Sequence, residues 1–168
     1  GAAVRAVLLS LALILVYMAW RFKQFLYGIA AVVALFHDVI LTLGLISILD
    51  MEITLAVVAG LLAIVGYSLN DTIVVFDRIR ENLLGRRRLS FPEILDGSIN
   101  ECLSRTVITS LTTLMAVVAM MVWGGEVIRD FTIPLLIGIF VGTYSSMFVA
   151  SPVLFYGHER ASKAAKAS

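Results

Sequence analysis

Three groups of ionisable residues interrupt stretches that are otherwise apolar. His37-Asp38 lies midway along one stretch, Asn70-Asp71 in the later half of the next, and Arg105 at the opening of the one after. A carboxylic acid removed from water is disfavoured as an anion, and a neighbouring guanidinium restores the charged form. A helix movement that carries Arg105 toward Asp71 or away from it would therefore bind or release a proton, which is the least that coupling proton flow to motion requires. Asp38 is a second candidate for the same chemistry. Thr109 and Thr112 follow Arg105 on its helical face, and Tyr67 and Ser68 precede Asp71 by one turn. Hydroxyls so placed could hold water or relay a proton, and His37 and Asn70 are further relay candidates.

Each of these residues has a plainer alternative. Asp71 could cap a helix starting at Thr72, which requires the apolar span to stop near Leu69. Asp38 could be a structural acid paired with His37 or Thr42, and His37 could serve hydrogen-bonded packing alone. Arg105 could be an anchor whose guanidinium reaches the headgroups. Enzymatic chemistry finds no footing: there is no Gly-rich phosphate loop, no Cys/His cluster and no Ser/His/Asp arrangement, and His37 and His158 are the only histidines. The lone Cys102 excludes an internal disulfide. The expected activity is proton transfer without bond cleavage, with protons as coupling ion and no cofactor or metal.

The elements that must position these groups follow from composition. The 168 residues are 60% hydrophobic and 15% charged, with a mean hydropathy of +0.98; soluble domains run near about 45–50% apolar and about 25% charged. The apolar residues gather into Val4–Trp20, Phe25–Leu49, Ile53–Phe76, Thr106–Trp123 and Phe131–Tyr156, lengths that suit a hydrocarbon core about 30 Å thick. The fold class predicted is an all-α membrane protein of five transmembrane helices, a single domain over residues 1–156 with an amphipathic loop at 77–105 and a basic tail at 157–168. Arg5 before an apolar run suggests a signal peptide, but Tyr17, Met18 and Trp20 occupy the place of a small-residue cleavage site, so a retained helix is expected.

Charge sets the orientation. Arg21 and Lys23, then Arg78, Arg80, Arg86, Arg87, Arg88 and Arg105, then Arg160, Lys163 and Lys166 all fall on one side if five helices alternate, leaving Arg5 and Arg129 on the other. The positive-inside rule makes the first side cytoplasmic, with the N-terminus outside and the C-terminus inside. Together with the opening Gly1-Ala2-Ala3, this leads to the expectation of more protein upstream. Arg86-Arg87-Arg88 is read as a topogenic signal that also touches anionic lipid. Nucleic-acid binding is excluded by a net charge of +1 and by Asp77, Glu81, Glu93, Asp96 and Glu101 among the basic residues.

Between the spans, Ile73, Phe76, Ile79 and Leu83 recur at helical spacing and predict an amphipathic extension of the third helix, ended by Gly85. Ser90-Phe91-Pro92-Glu93 has the pattern of a helix start, from which one helix could run to Trp123. Short external links are expected at Asp50-Met51-Glu52 and from Gly124 to Asp130. On the fifth span Gly138, Gly142, Ser146 and Ala150 stand four apart, a small-residue stripe on which another helix can pack closely.

The run Gly66-Tyr67-Ser68-Leu69-Asn70-Asp71-Thr72-Ile73-Val74-Val75-Phe76-Asp77-Arg78-Ile79-Arg80-Glu81-Asn82 resembles the signature of the SecF family of protein-export membrane subunits. So do Arg105-Thr106-Val107-Ile108-Thr109-Ser110-Leu111-Thr112-Thr113, Phe36-His37-Asp38-Val39, Gly124-Gly125 and Ser145-Ser146-Met147-Phe148-Val149-Ala150-Ser151-Pro152, in family order over almost the whole chain. The sister SecD subunits carry a different version of the long motif. The resemblance implies helices two to six of one half of a resistance-nodulation-division-type bundle in the bacterial inner membrane. It also implies partnership with SecD, the SecYEG channel and YidC, and use of the proton gradient to promote late-stage translocation of a polypeptide engaged by an external domain. Residue by residue, it places Asp71 and Arg105 in the proton pathway, with Asp38 a less direct match.

Overall fold

The computed structural model describes residues 2–22, 24–86 and 89–167, which form six helices. These are α1 (Ala2–Phe22), α2 (Phe25–Ile48), α3 (Leu55–Gly85), α4 (Phe91–Trp123), α5 (Glu126–Phe148) and α6 (Ala150–Ala167). Among the described residues, four stretches are long and apolar enough to cross a membrane: α2, α3, α4 and the run Glu126–Lys163 that joins α5 to α6. Within α1 the apolar stretch Ala12–Phe22 is shorter.

Local chemistry sets the helix ends. Thr54 caps α3, its Oγ1 accepting from the Val57 amide at 3.3 Å. Glu93 closes the start of α4, its carboxylate accepting from the Ser90 amide at 2.8 Å and the Ser90 hydroxyl at 2.7 Å. These bonds hold the Glu93 carboxyl below its ordinary range. Because α3 runs unbroken to Gly85 and α4 starts at Phe91, the amphipathic segment 77–105 is mostly the two helix extensions expected of it. The external link expected over Gly124 to Asp130 shrinks to Gly124-Gly125, since α5 begins at Glu126.

The span expected over 131–156 is divided between α5 and α6. Its helix breaks at Val149, where φ is −116° and ψ −54°. Pro152 is the physical reason: it has no N–H to give the Phe148 carbonyl, and its ring crowds that same carbonyl. In the first turn of α6 the proline is tolerated.

Packing centres on α3 and α5, which share the most extensive contact; α2 and α4 flank the pair, α1 lies on α2, and α6 returns against α2. The small-residue stripe is what lets α3 and α5 approach. A Cβ on Gly138 would land on the Ile64 side chain, and one on Gly142 would sit 3.0 Å from the Ser68 Cβ. Ser146 and Ala150 continue the stripe fully buried. The helix accommodated there is therefore the chain's own α3. Near the basic-rich end, Phe22 stacks on Tyr27 at 5.2 Å and both meet the edge of Phe76, at 6.0 and 5.3 Å. Arg21 pairs with Asp77 at 2.7 Å beside this knot, tying α1 to α3.

Candidate functional site

Asp71 sits in the middle of α3, not at a helix start, so it is not an N-cap. Its side chain is 4% exposed, and its Oδ2 has no hydrogen-bond partner among the described residues. The position opposite it on α4 follows from the antiparallel register. Asn82 donates to the Ser98 hydroxyl at 2.9 Å, Cys102 Sγ lies 4.0 Å from the Val74 carbonyl oxygen, and the Tyr67 hydroxyl donates to Ser110 at 3.0 Å. Asp71 falls between Val74 and Tyr67, and Thr106 between Cys102 and Ser110, so the two share a level. Thr106 is also buried, and its Oγ1 is likewise unpartnered among the described residues. Buried polar atoms are nearly always satisfied, and of the four buried side-chain oxygens without a partner among the described residues these two share one level of the α3–α4 interface.

Arg105 is exposed on the next position of α4. No ion pair joins it to Asp71 among the described residues. Thr109 donates to the carbonyls of Arg105 and Thr106, and Thr112 to those of Ile108 and Thr109, so both expected relay hydroxyls are turned back onto their own helix. Asn70 is exposed, on a different face of α3 from Asp71.

Asp38 forms a second, satisfied centre. It is fully buried; its Oδ1 lies 3.0 Å from Nδ1 of His37, and its Oδ2 accepts from the Ser68 hydroxyl at 2.5 Å. The second partner is thus Ser68 of α3 and not Thr42, whose own Oγ1 is unpartnered among the described residues. His37 is partly exposed and makes the link between Asp38 and the protein surface.

Two features escaped the sequence reading. One is a directed chain across three helices. Thr143 donates to the Ile139 carbonyl at 2.6 Å, so its single proton is committed there and Ser110 donates to Thr143 at 2.7 Å, while Tyr67 donates to Ser110. The available signal was the spacing of Ser98, Cys102, Thr106 and Ser110, four apart and all buried. The other feature is a clamp outside the spans. Glu101 accepts from Asn82 at 3.0 Å, from Arg78 at 2.5 Å and from Arg86 at 2.7 Å, while Arg78 also reaches Glu81 at 2.7 Å. The Asn82 and Arg78 hydrogen bonds, ahead of that from Arg86, pull the Glu101 carboxyl down to about 2. Arg86 is thereby paired with Glu101; Arg87 and Arg88 lie outside the described residues.

A bundle of long apolar helices with two acids buried inside it has the architecture of a multi-pass membrane protein. Its family is fixed by comparison. Residues 1–160 match the family described as protein export membrane protein SecD/SecF, C-terminal, and the chain belongs to that family. It is 56% identical over 151 residues to the protein translocase subunit SecF of Thermodesulfovibrio yellowstonii, covering 89% of this chain and 50% of that one. To the protein translocase subunit SecDF of Thermus thermophilus it is 49% identical over 167 residues, 98% of this chain and 23% of that one. The crystal structure of SecDF in its super-membrane-facing form superposes with a TM-score of 0.89 at 48% identity, over 98% of this chain and 22% of that one. The chain thus spans about half or less of the length of these relatives.

Proposed function

We propose that this chain is the membrane part of a SecF-type subunit that, with SecD, uses the proton gradient to promote late-stage protein translocation through the SecYEG channel. The observation that carries the reading is Asp71: buried in α3, with Oδ2 unpartnered among the described residues, level with the equally orphaned Thr106 and one residue from Arg105 along α4. The relatives named SecF and SecDF supply the class of process. The fused SecDF relatives favour SecD as the direct partner; YidC and the translocating polypeptide are partners of the longer assembly.

In this reading Asp71 binds the proton, Arg105 modulates it from α4, and Asp38 with His37 holds α2 to α3. No bond is cleaved and no cofactor takes part. The basic-rich ends of α1, α3 and α6 face the cytoplasm of a bacterial inner membrane.

Late-stage export into inverted membrane vesicles, with and without a proton gradient, tests the reading. With Asp71→Asn in the full-length protein and assembly with SecD intact, gradient-dependent stimulation disappears. Unchanged stimulation would mean that Asp71 is structural and the subunit a scaffold.

A further inference from the structure

Small residues line the tightest helix contact of the chain, that of α3 with α5, but one groove within its spans has large walls on both sides. On α4, Leu103, Val107 and Leu111 stand four apart and are exposed; on α5, Phe140, Tyr144 and Phe148 do the same. Between them lies a cavity of about 350 Å3. The Ser110 and Thr143 hydroxyls that border it are bonded to each other at 2.7 Å, so neither is left seeking a ligand. From Leu103 to Leu114 the lining covers about 16 Å of helix rise, the depth of one leaflet of a hydrocarbon core about 30 Å thick. A second cavity, of about 370 Å3, shares Leu111 and Phe140 with the first and runs on to Trp123 in the other leaflet. A transmembrane helix is a poor occupant of such walls, since close helix approach in lipid uses small residues, as at Gly138 and Gly142. A thin, flexible acyl chain suits them.

The groove continues past the hydrocarbon at its basic-rich end. There a cavity of about 280 Å3 lies between α4 and α6, lined by Leu95, Asp96, Ile99, Pro152 and Tyr156 among others. Pro152, Tyr156 and Arg160 are four apart, which puts Arg160 one turn beyond Tyr156 on the same face of α6. Most charged groups around this mouth are already engaged. Glu93 is bonded to Ser90, Lys163 pairs with Glu159 at 2.7 Å, and His158 stacks on Phe91. Asp96 and Arg160 take part in no ion pair among the described residues. One free anion and one free cation at headgroup depth complement a headgroup that carries one ammonium and one phosphate; a purely anionic headgroup would meet repulsion from Asp96.

We propose that this groove holds one phospholipid of the leaflet on the basic-rich side. Its acyl chain lies along Leu103, Val107 and Leu111 as far as Phe140, and its ethanolamine phosphate headgroup sits between Asp96 and Arg160. α4 is the least buried of the four spans, and a lipid seated there braces its open side against α5. The assignment needs only that the chain spans a membrane, and is independent of the role given to Asp71.

Native mass spectrometry of the full-length protein, purified in mild detergent, tests the site. One phosphatidylethanolamine per subunit stays bound; Val107→Trp, which fills the groove, loses it, while Ile40→Trp on the exposed face of α2 keeps it. Delipidated protein takes phosphatidylethanolamine back in preference to phosphatidylglycerol, and Asp96→Ala loses that preference. A photo-reactive phenylalanine analogue placed at Leu111 in native membranes yields lipid adducts alone. No retained lipid, retention in Val107→Trp, equal loss in Ile40→Trp, or a preference for phosphatidylglycerol overturns the proposal. So does a cross-link from position 111 to another protein, which would make the groove a helix-docking surface.

Discussion

Asp38 and Asp71 are both carboxyls buried in the same bundle, and their surroundings assign them different work. Asp38 has a partner on each oxygen, one from its own helix and one from Ser68 of α3. Ser68→Ala removes a donor and leaves a buried carboxyl oxygen unpaired, a loss of about 1–3 kcal/mol. Denaturant titration in detergent measures it, and in a double-mutant cycle Ser68→Ala and Asp38→Asn couple instead of adding. Glu101 answers to pH outside the spans. Its carboxyl sits at about 2 in the fold against an ordinary 4.5; a depressed acid stabilises above the ordinary value and loses that contribution as pH falls toward the depressed one. A carboxyl-resolved NMR titration should find Glu101 still charged at pH 4, and Asn82→Ala should raise its midpoint. The acids within the spans were legible in the sequence because ionisable residues in apolar runs are rare. Which of them is satisfied was not, since the deciding atoms belong to Ser68 and Thr106 on other helices, and helix pairing leaves no mark at residues 38 and 71 themselves.

Helix interfaces here are written in small residues, and only one of the two stripes was read. Gly138, Gly142 and Ser146 stood out as a surface for another helix; at Gly138 and Gly142 that helix is α3 of the same chain. The stripe Ser98, Cys102, Thr106 and Ser110 carries the α3–α4 contact and went unread as a stripe, because its polar side chains give no apolar period to detect. Close approach makes the glycines unequal. Gly138→Ala drives a Cβ into Ile64 and should destabilise by about 1–3 kcal/mol, as overpacking does. Gly142→Ala, with its nearest atom at 3.0 Å, should cost less, while Gly44, which has nothing within 4 Å, should accept alanine without loss. Thermal unfolding of the three variants in detergent gives the order. Ser90 and Glu93 announced the start of α4 because capping is local. The break at Val149 was hidden in a run apolar from end to end, although Pro152 was its cause.

Across the whole molecule, the charged cleft between the ends of α3 and α4 lies outside the apolar spans, and two acids, Asp38 and Asp71, are buried within them. Positive residues gather at the ends of α1, α3 and α6, the same end at which the cleft between α3 and α4 opens. The bundle's helical class and its family were legible from composition and motifs. The level that Asp71 shares with Thr106 was not, since it depends on the register of α4 against α3. The central claim is that Asp71 exchanges a proton as the machine works, and infrared difference spectroscopy of the full-length protein in membranes tests it most directly. A carboxyl band that changes when the pH on the cytoplasmic side is stepped, and that is missing in Asp71→Asn but kept in Asp38→Asn, is the predicted result. A band unchanged by the pH step, or one that survives Asp71→Asn, would contradict it.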